Sequence, residues 1–133
     1  MNTKTLILTG SGSIWLAFGL WTFLFPESLS GVGLVLDGGL GRTEIRAFYG
    51  GLEIGIGSYL LWACRSEERV QQGLVAALFC VAFTGLGRFL GIAMEGFSTT
   101  PMMWVFLGVE LVGSLLTVWA IKPATVSRQE VSP

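Results

Sequence analysis

Apolar residues fill four stretches of the chain, roughly 5–25, 43–64, 72–97 and 101–121, with turn-forming or charged residues between them. The first stretch stops at Pro26, and the second runs into Arg65-Ser66-Glu67-Glu68-Arg69. The fourth opens on Pro101, a favoured first helical position, and ends before Lys122-Pro123. At about 1.5 Å of rise per residue, each stretch crosses a hydrocarbon layer of roughly 30 Å. The pattern therefore predicts an all-α fold, a bundle of four transmembrane helices in a single domain over 1–122, followed by a short polar tail over 123–133. Lys4 ahead of an apolar run resembles the start of a signal peptide, but the run is too long and lacks an Ala-x-Ala-like site, so it reads as a retained span.

Three ionisable residues break this pattern. Glu53, Arg88 and Glu110 each lie near the middle of a different apolar stretch. A charge left facing lipid at the bilayer centre costs about 3 kcal/mol, so the three are expected to face one another inside the bundle. With the second helix entering near Thr43, Glu53 lies about 15 Å below the surface, and Arg88 and Glu110 lie about 13 Å below it. All three thus reach one level. Arg46 and Glu95 stand seven residues further out on the helices of Glu53 and Arg88, two turns away on the same faces, where they are expected to meet near the mouth. With Tyr49 beside Arg46, the candidate site is Arg46, Tyr49, Glu53, Arg88, Glu95 and Glu110.

The small residues suggest which faces pack. Arg46, Tyr49, Gly50, Glu53, Gly57 and Leu60 share one side of the second helix, read as polar, and Gly51 and Gly55 form a G-x-x-x-G pair on the other, read as packing. Gly87 and Gly91 form another such pair on the third helix, whose polar side carries Thr84, Gly85, Arg88 and Glu95. The fourth helix adds Gly113, Ser114 and Thr117 beside Glu110. The connection from Pro26 to Arg42 is rich in glycine around the apolar run Val32 to Leu36, and it reads either as a linker or as a lid over the outer mouth.

Composition narrows the chemistry. The chain is 52% hydrophobic and 13% charged over 133 residues, and its eight Lys/Arg are scattered among nine Asp/Glu, so it offers no basic face for nucleic acid. It has no His, which removes the usual imidazole-held metal and haem sites; no metal or cofactor is expected, and Glu is left as the side chain to carry a proton near neutral pH. Cys64 and Cys80 read as packing residues. Lys4, Arg65, Arg69, Lys122 and Arg128 fall on one side of the proposed topology and Arg42 on the other, so both termini are expected to be cytoplasmic. Trp21 and Trp104 fall near the outer ends of their spans and Trp62 and Trp119 near the inner ends, as in interfacial aromatic belts, whereas Trp15 lies mid-span and reads as packing.

The run Arg46-Ala47-Phe48-Tyr49-Gly50-Gly51-Leu52-Glu53-Ile54-Gly55-Ile56-Gly57, with Gly87-Arg88 and Glu110 after it, resembles an uncharacterised bacterial family of small four-helix membrane proteins, a domain of unknown function. The resemblance implies a multi-pass protein of the bacterial inner membrane and marks these Arg and Glu residues as family features; it implies no activity. Three readings of the buried charges stay open. The cluster is a structural clamp that fixes helix packing, as in an accessory membrane subunit. It lines a pocket for a small polar or amphipathic ligand, open to the outer side and linked to proton-coupled transport. Or it is a membrane-embedded acid/base enzyme, with Glu53 or Glu110 moving a proton on a lipid-like substrate. The expected partners are the lipid bilayer and, under the second reading, that ligand; both ligand readings are easier in a homodimer.

Overall fold

The computed structural model describes residues 2–34 and 38–121, and these are helical apart from short connections. The predicted tail over 123–133, the basic residues Lys122 and Arg128, and Val35 and Leu36 of the apolar run Val32 to Leu36 lie outside the described residues. Helix α1 spans Thr3–Leu24, started by Asn2, whose side chain accepts a hydrogen bond from the Thr5 amide at 2.9 Å, and stopped by Pro26. A 3-10 turn follows over Pro26–Val32. Helix α2 (Gly38–Ile45), a π segment (Arg46–Gly51) and α3 (Leu52–Ala63) then run on without a break. Helix α4 spans Glu67–Met94 and α5 spans Pro101–Ala120.

Helices α1, α4 and α5 are each long and apolar enough to cross a membrane. The second predicted span is helical from Gly38 to Ala63, but the π segment divides it into α-helical pieces of 8 and 12 residues. The charged run Glu67-Glu68-Arg69 is the first turn of α4 rather than part of a loop, and it places two carboxylates at the positive end of the helix dipole. Helix α4 ends three residues before the predicted Phe97. There the Gly96 amide bonds Ala93 O at 3.1 Å and the Phe97 amide bonds Ile92 O at 2.9 Å, and Gly96 takes the left-handed φ of 67° that this closing turn requires.

Glycines set how α1 meets the α2–α3 helix. A Cβ on Gly57 would come within 2.5 Å of the Leu16 nitrogen, and one on Gly19 within 2.7 Å of the Ile54 nitrogen. Gly12 and Gly50 are similarly close to Leu61 and Phe23, so two pairs of glycines at seven-residue spacing interlock along the seam. The packing side of this helix is thus the Gly50, Gly57 and Leu60 side that its sequence marks as polar. Gly55, Gly87 and Gly91 meet nothing within 4 Å among the described residues, and Gly51 meets only the Arg46 carbonyl of its own helix. Both G-x-x-x-G pairs therefore lie on open faces. The π turn, wider than an α turn, helps explain why straight 3.6-residue periodicity misplaced the face.

The interior is packed in one half. Leu8, Leu60, Ala63, Val70, Leu74, Ala77 and Ala120 form a dry core where α1 and α4 begin and α3 and α5 end. Lys4 Nζ donates to Gln71 Oε1 at 3.1 Å at that end, fixing the start of α1 beside the start of α4. The outward faces stay apolar: Phe79, Phe83, Leu111 and Leu115 are 59–62% exposed, as lipid-facing side chains are. The other half of the bundle is less filled, and the ionisable residues lie there.

Candidate functional site

Helices α4 and α5 hold the ion pair. Arg88 Nη2 donates to Glu110 Oε1 at 2.7 Å, and Arg88 Nε lies 3.0 Å from both carboxylate oxygens. Glu110 is buried, and Gly85 one turn from Arg88 makes room for it: a Cβ there would lie 3.1 Å from the Glu110 Cβ. The remaining guanidinium nitrogen, Nη1, points at Met103 Sδ at 3.4 Å, and the guanidinium carbon lies 5.2 Å from the centre of the Phe106 ring. Each nitrogen of Arg88 is thus engaged within α4 and α5.

Glu53 stands apart from this pair. Its Oε2 is shielded from solvent and has no hydrogen-bond partner among the described residues, and the ion pairs found there are Arg88 with Glu110 and, at 2.9 Å, Arg42 with Glu27. Glu53 nevertheless shares a chamber of about 420 Å³ with Arg88, Glu110 and Tyr49. Trp15 and Phe18 of α1 line the same space, with Met103 and Phe106 of α5. Leu29, Val32 and Leu34 of the connection between α1 and α2 line it as well, so part of that segment covers this cavity. The size is that of small-molecule sites, roughly 300–1,000 Å³.

A second cavity of about 470 Å³ lies on the other side of Glu53, as an open groove bordered by Ile45, Phe48, Leu52 and Cys80. Trp15, Tyr49, Glu53 and Thr84 line both spaces and so form the partition between them. The groove carries Glu44 and Glu53 and, among the described residues, no cation.

Arg46 and Glu95 are placed elsewhere. Arg46 Nε donates to Phe23 O at 3.2 Å, so the guanidinium satisfies a free carbonyl at the C-terminal end of α1, where a positive charge suits the helix dipole. Glu95 is exposed at the last turn of α4 and forms no ion pair with Arg46. Of the six candidate residues, the fold brings Tyr49, Glu53, Arg88 and Glu110 to one cavity and leaves Arg46 and Glu95 outside it.

The first six residues of the Arg46 to Gly57 run, part of the sequence resemblance, form the π segment Arg46–Gly51. The Leu52 amide reaches back five residues to Ala47 O, and the Thr22 hydroxyl lies within reach of Tyr49 O as well as Phe18 O and Gly19 O on its own helix. A π turn leaves a carbonyl without its usual partner, and Thr22 is positioned to supply one from α1. The distortion sits directly before Glu53 and carries Tyr49 into the partition.

Charge placement could not reveal the contribution of α1, because no charged residue of that helix reaches the chamber. Trp15 at mid-depth was the available signal, and it lines the chamber and the groove where the sequence suggests packing alone. No curated protein and no solved structure matches the chain. The family model described as Domain of unknown function (DUF4345) matches residues 3–121, which takes in α1 through the end of α5, and the chain belongs to that family.

Proposed function

We propose that this is a four-span protein of the bacterial inner membrane, with both termini cytoplasmic, that holds a small ligand in the chamber beside Glu53. The Gly38–Ala63 helix supplies the fourth crossing: its length of continuous helix spans a hydrocarbon layer despite the π segment. Lys4, Arg65 and Arg69 at the end with the dry core support a cytoplasmic placement of that end, and the opposite end, with the chamber, then faces outward.

The observation that carries the ligand reading is the position of Glu53. A structural clamp would close Glu53, Arg88 and Glu110 into one network, since a buried charge without a partner is strongly destabilising. Here Arg88 pairs with Glu110, and Glu53, without an ion-pair partner among the described residues, borders open space large enough for a small molecule. Buried polar groups are hydrogen-bonded in stable proteins, so a group facing a cavity in this way suits a partner that arrives from outside the chain.

Native mass spectrometry of protein released from its own membrane tests this. The wild-type chain is expected to carry one small adduct. Thr84→Phe should remove it: Thr84 borders both spaces, its hydroxyl bonds Cys80 O of its own helix at 2.8 Å, and a ring there takes up space in the chamber while leaving Arg88 and Glu110 in the sequence. An adduct retained by that variant, or lipid bound without stoichiometry in both, would count against the chamber.

A further inference from the structure

We infer that the chamber recognises an organic cation, a protonated amine or quaternary ammonium on an apolar body, through the Glu53 carboxylate and the Trp15 and Tyr49 side chains that line the same spaces. The inference rests on the ligand-chamber reading and adds the chemical class of the ligand.

Charge decides against an anion. Arg88 is the cation among the described residues lining the chamber, and all three of its nitrogens are already engaged by Glu110 and Met103. A carboxylate or phosphate reaching Arg88 would compete with the buried, multiply bonded Glu110 and sit against its like charge and that of Glu53. Arg46, the next basic residue on the Glu53 helix, is turned away onto Phe23 O. Glu53 thus lines both spaces with no ion-pair partner among the described residues, and its shielded Oε2 lacks a hydrogen bond.

The surroundings of Glu53 suit a soft cation. Trp15 and Tyr49 line both spaces beside it, and aromatic faces attract ammonium groups within about 6 Å of the ring. The groove on the other side adds Glu44, exposed near the outer end, so an approaching cation meets one carboxylate and then a second. Beyond Glu53 the chamber turns apolar, with Phe18, Leu29 and Val109 able to take the body of the ligand.

Three probes with one body test the class: 4-phenylbutylamine, 4-phenylbutyrate and 4-phenylbutanol, titrated calorimetrically into the full chain in lipid nanodiscs, with empty nanodiscs as background. The amine is expected to bind at least tenfold more tightly than the acid or the alcohol. Glu53→Gln should abolish that preference, and Glu53→Asp, which keeps the charge, should retain it at lower affinity; the second variant guards against misfolding of the first. Tighter binding of the acid, or equal binding of all three, overturns the cation and leaves the chamber standing. Binding of none by a protein that still carries its native adduct also overturns the cation alone, and binding of none with no adduct overturns both.

Discussion

Glu53 and Arg88 line one chamber without pairing, because Arg88 reaches Glu110 across the α4–α5 interface at 2.7 Å and is held there. The two helices that carry the ion pair are therefore locked by it, and Glu53 belongs to a different part of the site. Double-mutant cycles read this division directly. Arg88→Ala should cost about 3–5 kcal/mol by leaving Glu110 buried alone, and the Arg88/Glu110 double variant should cost clearly less than the two single changes added. The Arg88/Glu53 cycle should be additive to within about 0.5 kcal/mol, as expected for groups that share no contact. Unfolding in detergent followed by circular dichroism supplies both numbers, and strong Arg88–Glu53 coupling would place the two in contact.

Glycine substitutions separate the true seam from the open faces. Gly19→Ala and Gly57→Ala drive a methyl into backbone atoms that cannot yield, so each should destabilise by about 1–3 kcal/mol or more. Gly55→Ala and Gly91→Ala point away from the described residues and should be neutral or stabilise by about 0.5–1 kcal/mol, the ordinary gain of Ala over Gly inside a helix. The same unfolding measurement ranks the four, and a large loss at Gly55 or Gly91 would reveal a partner on that face.

Thr22→Val keeps the shape of the side chain and removes the hydroxyl offered to Tyr49 O. Stability should fall by about 1 kcal/mol. Amide hydrogen exchange should rise around residues 46–53, where the π segment loses its support from α1, and should stay unchanged in α4 and α5. Uniform acceleration across the chain would mean that Thr22 matters only to global stability.

Topology has its own test. Ser30 lies in the connection between α1 and α2 and Ser66 in the turn between α3 and α4. In a background without Cys64 and Cys80, Ser30→Cys and Ser66→Cys should react with an impermeant thiol reagent from opposite sides of a sealed vesicle. Reaction of both from one side would reject four crossings.

The sequence made the helix ends at Pro26 and Pro101 readable, since proline acts locally on the backbone. Nearly constant rise per residue also puts Arg88 and Glu110 at one level of their helices, and the two do meet across α4 and α5. Azimuth was harder. The π segment changes the phase of the helix before Glu53, and α1, which carries no charge at that level, brings Trp15 and Phe18 into the space beside it. Arg46 was drawn to a carbonyl rather than to Glu95, because helix ends offer acceptors that no side-chain pattern displays.

Access to the partition beside Glu53 from the outer side tests the central claim most directly. Thr84→Cys borders the chamber, and Leu86→Cys, two residues on, is 49% exposed but does not line it. Both are made in the background without Cys64 and Cys80 and exposed to a small cationic methanethiosulfonate added outside sealed, right-side-out vesicles. A thiol in hydrocarbon does not form the thiolate such reagents need, so the outward-opening chamber predicts reaction at Thr84→Cys and none at Leu86→Cys. Silence at both positions, or equal reaction at both, would contradict it.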